Sequence, residues 1–109
     1  MYAFKNQTHG TEHVYGLQKA PVELIEYGDF LCGHCAYVYP TVKLLQERMG
    51  TDIRFVYRHY PLHAIHPLAL EAAMVSEAAA LQGKFWAMHD LIYENQKMVQ
   101  PLFQDQTFF

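Results

Sequence analysis

Between residues 20 and 60 the apolar positions change their period twice. In "PVELIEYGDF", Val22, Leu24, Ile25 and Tyr27 stand among two acids and run into Gly28-Asp29, which predicts a strand of about six residues ended by a turn. From Gly33 to Met49 the positions Val38, Val42, Leu45 and Met49 recur at spacings of three and four, the pattern of an amphipathic helix closed by Gly50. Pro40 lies inside that pattern and removes a backbone donor; it predicts a kink rather than an end, because the period resumes beyond it. "DIRFVYRHY" then alternates Ile53, Phe55 and Tyr57 against Arg54, Val56 and Arg58, a second strand. Strand, helix and strand in this order predict a right-handed parallel unit over 21–62.

Beyond it, "PLHAIHP" reads as a loop on its two prolines. The Ala-rich stretch that follows predicts two helices, 67–82 and 84–95, parted at Gly83. Residues 1–20 are polar and without clear period, and read as a loose arm or a short edge element with little chemistry. The end of the chain carries Pro101 and the apolar pair Phe108-Phe109, which a finished domain buries. There is no internal repeat or low-complexity tract.

A chain of 109 residues with 51% hydrophobic content fits one domain with a core of its own. A formal net charge of -3, with acids and bases scattered, gives no electrostatic footprint for nucleic acid or an anionic bilayer. No basic segment leads into an apolar stretch at the start, and no window reaches the roughly 18 apolar residues of a membrane span. As written, the chain is expected to be soluble and cytoplasmic. Its two cysteines form one close pair, which points to redox or metal chemistry rather than to the stapling of a secreted scaffold.

That pair lies in "FLCGHCAY", at the predicted passage from strand to helix. Cys32 at the helix entrance faces unpaired backbone N–H groups and the positive end of the dipole, both of which favour thiolate over thiol. Cys32 is therefore the expected nucleophile, with its proton easily lost. Cys35, one turn deeper, is placed to attack a mixed disulfide and release the partner. An imidazolium at His34 stabilises the reduced pair and makes the disulfide more oxidising. Glu26 points along an otherwise apolar strand face, where burial raises a carboxyl into the range of a base for Cys35. The bland alternatives are two chance core residues and an exposed strand acid.

On "APVELIEYGDFLCGHCAYVYPTVKLL", "IRFVYRHYPL" and "HPLALEAAMVSEAAALQGKFWAMHDLIYENQ", taken in that order, the chain resembles the thioredoxin superfamily, in particular its DsbA-like disulfide-oxidase branch with a helical insertion. The Gly-His dipeptide between the cysteines is also that of protein disulfide isomerases. The resemblance implies an α/β thioredoxin-like fold: a βαβ unit carrying Cys-Gly-His-Cys over 21–62, then part of the helical insertion over 66–96, within a partial domain over 21–109. It implies Cys32 as exposed nucleophile, Cys35 as resolving thiol, His34 as tuning residue, Glu26 as buried acid and Pro40 as the helix-kinking proline. None of Pro21, Pro40, Pro61, Pro67 or Pro101 has the context of the family's cis-proline loop, so the C-terminal half of the fold is expected to be missing. A two- or three-strand remnant exposes a sheet edge, for which a homodimer exchanging elements is one expected cover. The implied partners are cysteine-containing proteins and a redox partner, without a cofactor. Family members are commonly periplasmic, and similar domains occur fused to membrane transporters.

A rival reading makes Cys32 and Cys35, with His34 or a second chain, half of a zinc or iron–sulfur site; another makes the chain a non-catalytic interaction module. His59, His63 and His66 would share a helical face and suggest a metal, but two prolines break the segment and favour a plain loop. His9 and His13 read as solvated. Phe85, Met88, His89 and Ile92 fall on one helix side and read as core, and Tyr37 and Tyr39 flank the thiols as surface candidates.

Overall fold

Residues 12–99 are described in the computed structural model of the chain. The two alternating segments form the strands β2 (Val22–Gly28) and β3 (Ile53–His59), and the periodic segment between them forms α1 (Gly33–Met49). β2 and β3 run parallel, with Leu24 beside Phe55 and Glu26 beside Tyr57, as a helical crossover of this length allows. α1 continues through Pro40, which is exposed, and a single 3₁₀ turn over Gly50–Asp52 leads into β3.

Of the two readings of residues 1–20, a loose arm or a short edge element, the second holds over 13–16. β1 (His13–Gly16) pairs antiparallel with β3 and sets the sheet order β1-β3-β2, so β3 is central. It is too short to show a period in the sequence, and what fixes it comes from afar: the Trp86 indole donates to the Val14 carbonyl at 3.1 Å, and Arg58 pairs with Glu12 at 2.8 Å.

The sheet face carrying Phe55 and Tyr57 meets Phe30, Leu31, Tyr39, Val42, Phe85, Ile92 and Tyr93 in one core. The opposite face is also closed at its centre. Val56, grouped by alternation with Arg54 and Arg58, is fully buried together with its register partner Ile25. A central strand takes apolar residues on both faces where both are covered, and simple alternation misses this. The flanking Arg54 instead pairs with Glu23 beside it on β2.

The Ala-rich stretch gives α2 (Ala69–Ala80) and α3 (Phe85–Glu94), shorter than predicted and joined through Gly83 in the left-handed region at φ 72°. Phe85, His89, Ile92 and Tyr93 are buried, while Met88 is only half-buried. Lys43 on α1 reaches Asp90 on α3 at 3.0 Å, and the Tyr39 hydroxyl donates to Glu94 at 2.7 Å. Tyr39 is thus a packing residue, whereas Tyr37 is 80% exposed. His9, Pro101 and the Phe108-Phe109 pair lie outside the described residues.

Candidate functional site

The strand-to-helix turn is held by a buried carboxylate. Asp29 accepts the Leu31 N–H at 2.8 Å with one oxygen, and the Leu62 N–H at 3.1 Å and His66 Nδ1–H at 2.8 Å with the other. Its own carbonyl accepts the Cys32 N–H at 3.1 Å. From the other side, the Gln96 amide donates to the Phe30 carbonyl at 2.8 Å and the Cys32 carbonyl at 2.9 Å. The backbone around Cys32 is therefore fixed from β2, from the loop after β3 and from beyond α3.

Cys32 is the N-cap residue of α1, with extended backbone and no side-chain capping bond, and the first turn holds no acid to offset the positive end of the dipole. Its side chain is part-exposed, and both cysteines are free thiols. Cys35 sits in the first turn, part-buried against the core. Burial pushes its thiol up to about 11; a hydrogen bond from the Asp29 backbone pulls the other way, and Cys32 and Glu26 add to the rise. His34 is exposed at the helix start, its ring 6.5 Å from that of Tyr37.

Glu26 is buried, so the exposed-acid alternative falls, and burial raises its carboxyl to about 7. It shares a sheet face with Tyr57, whose hydroxyl meets that of Tyr93 at 2.7 Å. Both phenols are pushed well above the usual tyrosine range, burial being the largest cause. Gly28 leaves room for this pair: a Cβ there would collide with the Tyr57 ring and hydroxyl.

The three histidines of the loop do not gather. His59 ends β3, His63 is exposed, and His66 is bound to Asp29. Among the described residues, the group of side chains able to share a metal is instead His13, His59 and Glu77, and it includes neither cysteine. Sequence reasoning missed Asp29, Gln96 and Glu77. Asp29 carried a signal only as half of a turn pair, and Gln96 and Glu77 carried none.

A parallel pair crossed by a helix whose mouth presents Cys32 and Cys35, with further helices packed behind, defines a thioredoxin-like protein. The chain belongs to the thioredoxin family: the family model described as thioredoxin matches residues 8–107. Among solved structures it is similar to DsbA2 of Pseudomonas aeruginosa, at 28% identity and TM-score 0.69, over 81% of this chain and 50% of that one. BdbD of Bacillus subtilis, in its oxidised form, matches at 26% identity and TM-score 0.66, over 76% of this chain and 46% of its own. The fold of α-DsbA1 of Wolbachia pipientis matches at TM-score 0.68 with 23% identity, over 84% and 46%. Among curated proteins, the Na(+)/H(+) antiporter NhaA 1 of Salinispora arenicola is 47% identical over 90 residues, and that of Mycolicibacterium vanbaalenii 45% identical over 85. The chain spans 14% of the length of each. Among the described residues no helix is long and apolar enough to cross a membrane.

Proposed function

We propose that the chain is a thiol-disulfide oxidoreductase that exchanges disulfides with cysteine-containing proteins through Cys32 and Cys35. The observation that carries this reading is the asymmetry of the pair: both thiols are part-exposed, but Cys32 stands at an uncapped helix mouth, while Cys35 packs against the core and burial pushes its thiol up to about 11. The DsbA-type neighbours support the same chemistry in general terms.

In the oxidising direction a substrate thiolate attacks Cys32 Sγ of the Cys32–Cys35 disulfide. The new bond joins substrate sulfur to Cys32, and the electron pair of the broken bond leaves on Cys35. A proton then neutralises Cys35, and Glu26, with a carboxyl near 7, is suited to supply it. A second substrate thiolate attacks the substrate sulfur of the mixed disulfide and releases Cys32 as thiolate. The substrate has lost two electrons and the pair has gained them; a partner disulfide restores the starting state. The same steps reversed reduce a substrate disulfide, with Glu26 taking the proton of Cys35. His34 stands at the exposed rim of the same helix start, between the two cysteines.

The test is to mix the oxidised chain with a reduced peptide bearing two cysteines and to follow both by mass. Loss of two hydrogens from the peptide with gain of two by the chain is expected. With Cys35→Ser, a substrate disulfide is expected to stop at a mixed disulfide on Cys32. Oxidised chain left intact beside fully reduced peptide contradicts the reading. The curated antiporters are matched over one segment only, and this reading concerns that segment.

A further inference from the structure

Away from the cysteines, three ligating side chains from three elements converge. His13 of β1 and His59 of β3 both reach the same Oε2 of Glu77 on α2, at 2.5 and 2.7 Å through Nε2, and the three ligand atoms lie within 4.8 Å of one another. Two imidazole nitrogens and a carboxylate oxygen are the donor set of a three-ligand zinc site with a fourth position left for water. Imidazole selects transition metals over magnesium or calcium.

The two rings are packed against aromatic neighbours. The His13 ring lies flat on Phe85, centroids 3.6 Å apart and planes 1° from parallel, and the His59 ring is held edge-on by Tyr57 at 5.7 Å and Phe85 at 5.9 Å. These aromatic groups give the site a dry back wall, which tightens metal–ligand electrostatics. The third ligand is adjustable: the Glu77 side chain is 49% exposed, so an ion enters from solvent on that side.

Ligand atoms around a tetrahedral zinc with bonds near 2.0–2.1 Å stand about 3.3 Å apart. Glu77 therefore needs to retreat by less than about an ångström, the two imidazole nitrogens, within 4.8 Å of each other, need to close to the same spacing, and each ring gives up its Nε2 proton. The Nδ1 of His59 is buried without a hydrogen-bond partner, so the metal bond at Nε2 has to exceed the cost of an N–H left there without an acceptor. The Ser76 hydroxyl, 3.5 Å from His59 Nε2, completes the polar surroundings and spends its own proton on the Ala73 carbonyl.

We propose that His13, His59 and Glu77 bind a divalent transition metal of the zinc class, clamping the edge strand β1 and the insertion helix α2 onto the central strand. The site is separate from the thiol chemistry, and its test removes that chemistry. In the full chain carrying Cys32→Ser and Cys35→Ser, titration with zinc alone and metal analysis after dialysis are expected to give one zinc per chain. Zinc is also expected to raise the melting temperature. Glu77→Gln keeps an acceptor for both imidazoles and so keeps the fold, and His59→Gln tests a strand ligand. Each is expected to weaken zinc binding by more than the roughly 10–100-fold that loss of an outer-shell partner costs. His63→Gln is expected to bind like the parent. No zinc retained by the parent, or zinc bound equally well by Glu77→Gln and His59→Gln, overturns the proposal.

Discussion

His66 Nδ1 lies 2.8 Å from Asp29 Oδ2, a contact between residues 37 apart in the chain. Asp29 sits three residues before Cys32, and His66 sits in the loop that follows β3 and precedes α2. The contact makes the turn that presents Cys32 and the loop leading into α2 into one mechanical unit. It carries more than a surface ion pair would, because the carboxylate is only 3% exposed and its other bonds hold the backbone N–H groups of Leu31 and Leu62.

Asp29→Ala leaves these donors without a partner inside the protein. A loss of stability of order 3 kcal/mol is expected, by the cost of stranding buried polar groups. Chemical denaturation measures it. In the variant the backbone N–H groups of Leu31 and Leu62 are expected to exchange hydrogen faster than in the parent, while those in the middle of α1 keep their rates. His66→Gln, which keeps a donor, is expected to lose far less.

Glu26 sets a pH dependence of stability with a definite sign. Its carboxyl is near 7 in the folded chain against an ordinary 4.5, so between those values the folded state holds a proton that the unfolded state has lost. The protonated acid therefore favours folding below about 4.5, and that contribution disappears as pH rises through about 7. Glu26→Gln removes the ionisation and is expected to stabilise the chain in mildly alkaline buffer, by up to roughly 3 kcal/mol, with no such gain in acid. Denaturation midpoints of parent and variant across this range check the sign. Under the proposed function the same variant slows disulfide exchange near neutral pH, because Cys35 loses its proton carrier.

Gly28 has no turn of unusual backbone to make; it is glycine because of what lies against it. A methyl group there meets the Tyr57 ring, which is fully buried and hydrogen-bonded to Tyr93. Gly28→Ala is expected to destabilise by about 2–3 kcal/mol, as overpacking of a rigid core does. Thermal unfolding followed through tyrosine absorbance reads both the loss and the disturbance of the phenol pair.

The βαβ unit was legible because each of its elements buries a face whose period is written locally, and because Pro40 falls on the solvent side of its helix. The placement of the cysteine pair was legible for a similar reason: it depends on three residues of spacing and one helix start. β1 was legible only as one of two alternatives, since four residues carry no usable period and its place is set by Trp86, Arg58 and the backbone edge of β3. Nor was Val56, whose burial depends on what covers the second face of the sheet. Asp29, Gln96 and Glu77 are polar residues that bind partners far away in the chain, and such partners leave no mark on local periodicity.

The unequal standing of the two sulfurs is tested most directly by alkylation at neutral pH with a small iodoacetamide reagent, followed by mass spectrometry, on the fully reduced single variants. Cys35→Ser is expected to be labelled rapidly at Cys32, while Cys32→Ser is expected to stay largely unlabelled, its remaining thiol being packed against the core and slow to ionise. Equal rates in the two variants, or faster labelling at Cys35, would contradict the account.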